Sequence, residues 1–266
     1  MAIIGGANLY YEDRGPRDAA AVLLLHALGA SASIWESQLE HLSRHHRVLA
    51  YDMRGHGASE LKQTGDESTL PYSIADLAAD AISVLDAAQV QSAVWIGISI
   101  GGMSALWAAS HWSERVTALI VSNSSPGPAP REIWQARIDT VRATGMAPLV
   151  EPTLERWFTP EFRTREPIIV DRIRQTLKRC HPAAYAACCA AIRDQDQRST
   201  LPNIVAPTMI IAGSADAATP PALSEAMCNA IAGSELHMLE AAHLSNVERA
   251  DEFNALLVAF MAQHAD

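Results

Sequence analysis

The sequence predicts an α/β fold in which a mostly parallel central sheet is flanked by helices. Strand-like and helix-like segments alternate along most of the chain, and apolar runs such as Ala21–Leu25 and residues 118–122 are typical of strands buried on both faces. From residue 131 to 199 the alternation stops and helical segments follow one another. We therefore predict a core of residues 1–130 and 200–266, with a helical cap of residues 131–199 inserted after the sixth strand.

The remaining core elements follow from the spacing of apolar residues, which alternates in half-buried strands and recurs every three to four residues in helices. The helix over residues 73–88 has the clearest apolar side. The other predicted elements, in chain order, are a strand over residues 8–12 at the antiparallel edge of the sheet, a helix over 33–42, a strand over 48–51 and, after the cap, a strand over 208–212, a helix over 221–231, a strand over 235–239 and a helix over 247–263.

The composition indicates an ordinary apolar core and argues against several partners. Of the 266 residues 49% are hydrophobic, which suits one α/β domain with an insertion. The formal net charge of −10 argues against nucleic acid, which needs a basic face, and no apolar run reaches membrane-spanning length. The N-terminus does not read as a secretion signal, and the four cysteines form no disulfide or metal-binding pattern. We expect a cytoplasmic protein that binds neither nucleic acid nor membrane, and a homo-oligomer is compatible with the sequence.

The centre of the chain carries the pattern Gly-Ile-Ser-Ile-Gly at residues 97–101, between an apolar strand and an apolar helix. This is the nucleophile-elbow pattern of hydrolases that attack with a serine. A strand that reverses into a helix brings backbones close together, and the glycines on either side of Ser99 allow that approach. The N-terminus of the following helix favours negative charge developing above the serine. We predict Ser99 as the nucleophile.

A serine nucleophile needs a base and an acid that orients it, in the chain order serine, acid, histidine. Asp216 follows the predicted strand over residues 208–212 and is the predicted acid. The competing position after the strand over 118–122 holds Asn123, which carries no charge to stabilise an imidazolium. His243 follows the last short strand, directly before the C-terminal helix, and is the predicted base.

Attack on a carbonyl creates an oxyanion that needs hydrogen-bond donors. We predict the backbone N–H groups of Ile100, directly after the nucleophile, and of Leu28, in the loop after the strand Ala21–Leu25. His26 in the same loop is assigned a structural role, and Arg54 and His56 are assigned to a loop-forming network. This chemistry requires no cofactor and no metal ion.

The chain resembles the α/β-hydrolase family and is predicted to adopt the α/β-hydrolase fold. The match rests on G-I-S-I-G, on D-M-R-G-H-G-A-S at residues 52–59 and on G-S-A-D-A-A-T-P-P at residues 213–221. Within the family it resembles the 3-oxoadipate enol-lactonases, through R-W-F-T-P at residues 156–160, Y-A-A-C-C-A-A-I-R-D at 185–194 and A-H-L-S-N-V-E at 242–248. The resemblance covers residues 10 to 260.

This resemblance implies that the enzyme hydrolyses an enol-lactone to an open β-keto acid in aromatic catabolism, so the expected partner is a small lactone or ester. In one departure, residues 26–29 read His-Ala-Leu-Gly where a Ser-Leu-Gly loop is expected, which removes a polar contact beside the oxyanion site. That difference leaves the identity of the substrate more open than the type of reaction.

A carboxylated substrate in an acidic protein needs a cation placed in the pocket. Arg137 follows Trp134 by three residues, so the two share a helix face where an aromatic wall and a guanidinium can meet one ligand. Arg193 is the second candidate. For each arginine a solvated position on a helix surface is the alternative.

Other functions stay open on the residues alone. A broader carboxylesterase, lactamase or perhydrolase uses the same three residues and differs in the cap. A carbon–carbon bond hydrolase fits the machinery but not the subgroup motifs, and a non-catalytic small-molecule receptor is disfavoured by the complete Ser99, Asp216 and His243 set. Serine at the elbow disfavours haloalkane dehalogenases and epoxide hydrolases, whose fold places an aspartate there.

Overall fold

The computed structural model describes residues 2–4, 7–61 and 72–264. Its strands are β1 (Ala2–Ile4), β2 (Ala7–Leu9), β3 (Tyr11–Arg14), β4 (Ala21–Leu25), β5 (Arg47–Tyr51), β6 (Ala93–Ile98), β7 (Val116–Ser122), β8 (Thr208–Gly213) and β9 (Glu235–Leu239). Its helices are α1 (Glu36–Leu42), α2 (Ile74–Ala87), α3 (Ile100–His111), α4 (Arg131–Thr144), α5 (Ala147–Trp157), α6 (Pro160–Arg165), α7 (Pro167–Arg179), α8 (Pro182–Asp194), α9 (Pro221–Ala230), α10 (Ser245–Glu248) and α11 (Ala250–His264).

Seven strands form one sheet in the order β3-β5-β4-β6-β7-β8-β9. β3 pairs antiparallel with β5, and all the other neighbouring pairs are parallel. All residues of β6 and β8 are buried, which explains their continuous apolar character. The predicted α/β fold, a mostly parallel sheet flanked by helices, is confirmed.

The N-terminal segment corrects the prediction of a single strand over residues 8–12. β2 pairs with β1 in a separate two-stranded sheet, and β3 forms the antiparallel edge of the large sheet. Between them, the N–H of Tyr10 donates to Oγ of Ser59 at 2.9 Å, and its carbonyl accepts from the N–H of Asp52 at 3.0 Å. Because the backbone of Tyr10 binds the loop after β5, it is withdrawn from strand pairing. With three short strands at the N-terminus, the strand before the cap is β7 in this numbering.

Two predicted helices are interrupted where the backbone leaves the α conformation. The helix predicted over residues 247–263 consists of α10 and α11, which are divided at Arg249 with φ −126° and ψ 51°. The helix predicted over residues 33–42 opens with a 3-10 turn at Ala32–Trp35 before α1.

Residues 131–199 contain α4 to α8 and no strand, as their periodicity predicts. α4 packs against α8, and α5 packs against α7. α4 buries Ile138 and Val141 in these contacts, whereas α8 buries eight of its thirteen residues. In the part of the chain that the structure describes, no helix combines the length and apolarity that a bilayer crossing requires.

The parallel strands bring distant loops to one edge of the sheet. Leu25, the last residue of β4, is paired with Gly97 near the end of β6, and Ser122, the last residue of β7, is paired with Ile211 of β8. Gly213 at the end of β8 is paired with Leu239 at the end of β9. The loops that follow these strands therefore meet at the carboxyl edge, where ligands bind in open α/β sheets.

Candidate active site

Ser99 lies on the sharp turn between β6 and α3, with φ 57° and ψ −122°. This is a backbone conformation that residues with a side chain rarely adopt. The glycines of the motif make it possible, because a Cβ at Gly97 would lie 2.4 Å from the carbonyl oxygen of Gly101, and one at Gly101 would lie 2.3 Å from that of Leu25. The N–H of Ser99 also donates to the carbonyl of Ser122 at 3.0 Å. The backbone of Ser99 is thus fixed by its neighbours on both sides.

Asp216 and His243 are brought together at the ends of β8 and β9. Oδ2 of Asp216 lies 2.8 Å from Nδ1 of His243, and both side chains are almost fully buried. Since a carboxylate only accepts, Nδ1 carries the proton and Nε2 is left as the basic nitrogen. The structure thus places the two residues predicted from the sequence in the arrangement that orients a general base.

The carboxylate of Asp216 is held in its charged form. Oδ1 accepts from the N–H groups of Ala218 at 2.8 Å and Thr219 at 3.0 Å, while Oδ2 accepts from the hydroxyl of Thr219 at 2.7 Å and the amide of Asn123 at 2.9 Å. Burial alone would raise the pKa of Asp216, but His243 and these hydrogen bonds hold its pKa well below the ordinary value. The acid therefore stays ionised across the neutral and mildly acidic range.

Asn123 has a role that sequence reasoning missed. It was considered only as an unsuitable acid, yet its amide donates to Asp216 and to the carbonyl of Ala242 at 3.2 Å. Its own oxygen accepts from the hydroxyls of Ser122 at 2.7 Å and Ser245 at 2.5 Å, which fixes the orientation of the amide. Its φ is positive, 45°, a conformation that asparagine tolerates well. The sequence around Asn123 carries no signal for these contacts.

A cavity of about 580 Å³ opens above the nucleophile, between the sheet edge and the cap. It brings together Ser99, His243, Leu28, Trp134 and Arg137, all of which sequence reasoning named. The other walls are largely apolar; they include Met103, Trp157, Tyr185 and Ile192. A small ligand with an apolar body and few polar groups fits such a chamber.

The predicted oxyanion donors are available at this cavity. Ile100 is the first residue of α3, where backbone N–H groups lack partners within the helix. Leu28 lies in a turn closed by the N–H of Ala30 donating to the carbonyl of Ala27 at 3.0 Å. Within the described ranges, the N–H groups of Leu28 and Ile100 have no hydrogen-bond acceptor. Their assignment to the oxyanion stays a prediction.

The loop that departs from the family pattern is ordered by His26 and Gly29. Nε2 of His26 accepts from the N–H of Met53 at 2.9 Å, and Nδ1 lies 2.7 Å from the carbonyl oxygen of Ala27. Gly29 has φ +80°, and a Cβ there would lie 2.6 Å from Cδ1 of Leu177 in the cap. His26 thus ties the loop after β4 to the loop after β5, which is the structural role predicted for it.

Arg54 and His56 belong to a network that shapes the loop after β5. Nε of Arg54 donates to Asp80 at 2.5 Å, and Nδ1 of His56 lies 3.1 Å from the carbonyl oxygen of Arg54. Asp52 accepts from the N–H groups of Ala32 at 2.6 Å and Ala58 at 2.8 Å. None of these side chains lines the cavity above Ser99, so the loop-forming assignment agrees with their positions.

The buried histidines of these loops predict a pH dependence of stability. Burial lowers the pKa of His26 to about 4 and, together with His26, lowers the pKa of His56 to about 3. Both values lie below the unfolded value of about 6.5, so the unfolded chain binds more protons than the folded one between these limits. The free energy of unfolding is therefore expected to fall as the pH drops from 7 to 5, by about 1–2 kcal/mol for each imidazole.

Urea unfolding at pH 7 and pH 5 measures this effect. His56→Gln removes one of the two groups, so its stability should change less between the two pH values than that of the wild type. His45, which is exposed, provides the matched control, and His45→Gln should keep the wild-type pH dependence. Equal pH dependence in His56→Gln and the wild type would contradict the assignment.

Two guanidinium groups line the cavity. Arg137 lies 4.6 Å from the centre of the Trp134 ring, as their spacing on α4 predicts. Arg156, on α5, was missed as a site residue although it belongs to the R-W-F-T-P motif. Burial and the nearby charge of Arg137 lower the pKa of Arg156. Among the described residues no carboxylate lies within 4.0 Å of either arginine, so an anionic ligand would meet two uncompensated cations.

Arg193 is not brought to this site. Its Nε lies 3.0 Å from Oδ1 of Asp194, its Nη1 contacts Gln135, and it lines an open groove on the cap surface with Arg131 and Asp139. It does not line the cavity above Ser99. The position fits the alternative of a solvated helix-surface arginine, which corrects the choice of Arg193 as a second substrate-binding residue.

The chain is similar in sequence and structure to known hydrolases. Residues 22–256 match the family described as the alpha/beta hydrolase family. The chain is 36% identical to 3-oxoadipate enol-lactonase 2 from Acinetobacter baylyi, covering 95% of this chain and 92% of that one, and 31% identical to a putative carbamate hydrolase RutD from Variovorax paradoxus, covering 96% of each. It superposes on the crystal structure of the enol-lactonase from Burkholderia xenovorans LB400 with a TM-score of 0.93, at 34% identity, covering 97% of this chain and 98% of that one.

Proposed function

This chain belongs to the alpha/beta hydrolase family, and we propose that it opens a small carboxylated lactone of the 3-oxoadipate enol-lactone type. It is an esterase-type hydrolase, similar over nearly its whole length to enol-lactonases. The observation that carries the substrate proposal is the cavity itself. It joins Ser99 and His243 to two arginines that lack a carboxylate partner among the described residues.

In the proposed reaction the hydroxyl of Ser99 attacks the lactone carbonyl while Nε2 of His243 takes its proton. Asp216 holds the imidazole in the tautomer with the proton on Nδ1 and stabilises the imidazolium that forms. The N–H groups of Leu28 and Ile100 are the proposed donors to the tetrahedral oxyanion. Because these donors are backbone groups, they are fixed before the charge develops.

Collapse of the tetrahedral intermediate breaks the ring C–O bond and releases an enolate that remains part of the acyl group. Protonated His243 supplies the proton, and the resulting enol tautomerises to a ketone. A ketone is a poor nucleophile, so ring opening becomes effectively irreversible. Water, activated by His243 in its neutral form, then hydrolyses the acyl-enzyme and releases the β-keto acid.

The carboxylate of the substrate is assigned to the cap. Cζ of Arg137 lies 4.6 Å from the centre of the Trp134 ring, so the guanidinium is held over this wall of the cavity. A guanidinium can donate two parallel hydrogen bonds to a carboxylate. Arg156 adds a second positive charge at the same cavity. A net charge of −10 gives no general attraction for anions, so these local charges carry the recognition.

Arg137→Ala is expected to raise KM for a carboxylated lactone by about 10- to 100-fold, the scale of one lost charge-assisted contact. Hydrolysis of an uncharged aryl ester should change by less than about threefold, because that substrate makes no such contact. Steady-state kinetics with both substrates measures the difference.

Arg193→Ala is the matched control, since it removes an arginine of the same cap that lies outside the cavity. Arg156→Ala tests the second cation in the same assay. If neither Arg137→Ala nor Arg156→Ala impairs hydrolysis of the charged substrate more than that of the neutral one, the cap does not bind the substrate's carboxylate. The broader carboxylesterase interpretation should then replace the proposal.

A fluorophosphonate probe tests whether the protein is an enzyme rather than a small-molecule receptor. The probe should label one site, and mass spectrometry should map the label to Ser99. A protein that binds lactones tightly but resists the probe and turns none of them over would be a receptor of the same fold.

A further inference from the structure

A buried carboxylate lies next to the base but has no part in the steps above. Glu248, at the end of α10, is 6% exposed. Its Oε2 accepts from the N–H of Ala242 at 3.0 Å and from the N–H of Thr159 at 3.4 Å, and its Oε1 accepts from the hydroxyl of Thr159. Within residues 2–4, 7–61 and 72–264, no arginine, lysine or histidine nitrogen lies within 4.0 Å of it. The charge is thus balanced by neutral donors and not by an ion pair.

These donors come from the two parts of the molecule that enclose the reacting atoms. Ala242 directly precedes His243, whereas Thr159 is the N-cap residue of α6 in the cap. On the other side of the base, the N–H of Leu244 donates to the carbonyl of Trp157 at 3.1 Å. The peptide N–H groups before and after His243 are therefore both held, one by Glu248 and the other by the cap.

We propose that Glu248 is a positioning residue, which fastens the loop of His243 to the cap and so fixes the distance between the base and Ser99. The inference rests on the proposed function, since its effect is measured on that chemistry. It also accounts for two subgroup motifs. R-W-F-T-P supplies Trp157 and Thr159, while A-H-L-S-N-V-E supplies Ala242, Leu244 and Glu248.

A carboxylate suits this position better than an amide. Three donors converge on the two oxygens of Glu248, and a carboxylate can accept all three. A glutamine offers one carbonyl oxygen and directs an NH2 group towards remaining donors. Glu248→Gln should therefore keep the contact with Ala242 and weaken the contact with Thr159, whereas Glu248→Ala loses both.

The test measures kcat for each titrated active site. The fluorophosphonate probe, carried to its end point, counts the folded sites in every variant. For Glu248→Ala, kcat per titrated site should fall by about 10- to 100-fold for both the carboxylated lactone and the neutral aryl ester, while KM changes by less than about threefold. Glu248→Gln should recover part of the loss. Glu240→Ala, which removes an exposed carboxylate from the same loop, should match the wild type.

A purely structural role would lower the melting temperature and the number of titratable sites but leave kcat per titrated site unchanged. That outcome would overturn the proposal. If Glu248→Ala does not fold, Glu248→Gln and Thr159→Val decide the question, because each removes only part of the link; wild-type kcat per site in both would also overturn it. Failure of the wild type to react with the probe would instead refute the proposed serine hydrolase function.

Discussion

The Ser99→Ala variant is expected to lose about 10³-fold or more in kcat while it folds normally and binds ligand with little change. The hydroxyl is the proposed source of the covalent acyl-enzyme, so its removal abolishes that route. Alanine meets the same backbone constraint at φ 57° as serine does, so the turn itself is not strained further. Steady-state kinetics, a thermal melt and a ligand titration of the same preparation measure the three parts of this expectation.

Ser110→Ala is the matched control, because it removes a hydroxyl from α3 away from the cavity. It should retain wild-type kcat and KM. Near-normal activity in Ser99→Ala would rule out the serine hydrolase mechanism, whatever the effect of other substitutions.

The second large effect is expected at Asp216. Asp216→Asn should lower kcat by about 10²- to 10⁴-fold, because an amide can present an N–H to His243 and stabilise the wrong tautomer. Asp194 and Asp196 are the controls. Each is paired with a surface arginine, Asp194 with Arg193 and Asp196 with Arg198, so their asparagine variants should stay close to the wild type. A large loss at Asp194 with Asp216→Asn nearly silent would mean that the acid is misassigned.

The parts of the site that were predictable from sequence carry local signals. The strand before Ser99 is a continuous apolar run. The two glycines that flank Ser99 mark a turn in which backbones approach too closely for a Cβ. Asp216 and His243 each follow a predicted strand, and parallel strands all end at the same edge of the sheet. Such signals lie within a few residues of the position they describe.

The parts that were missed depend on residues far apart in the chain. Asn123 meets Asp216 across 93 positions, and Glu248 meets Thr159 across 89. Neither contact has a spacing that sequence periodicity reports. Arg156 was missed for a related reason, because nothing in the sequence of α5 shows that this part of the helix lines the cavity.

Arg193 shows that a shift of one residue along a helix decides whether a side chain faces the cavity. Ile192 lines the cavity, and the next residue on a helix is rotated by about 100°. The guanidinium of Arg193 accordingly turns away towards Asp194 and Gln135. Only the packing of α8 against α4 determines which side faces Ser99, and that packing is a property of the assembled cap.

We propose that the cavity beneath the cap binds the carboxylate of a small lactone that Ser99 opens. The most direct test compares kcat/KM of the wild-type enzyme for a carboxylated enol-lactone with that for its neutral primary carboxamide, which has nearly the same shape. We expect the carboxylate to be preferred by about 10- to 100-fold at low ionic strength, the scale of one charge-assisted contact. Equal values, or a preference for the carboxamide, would contradict it.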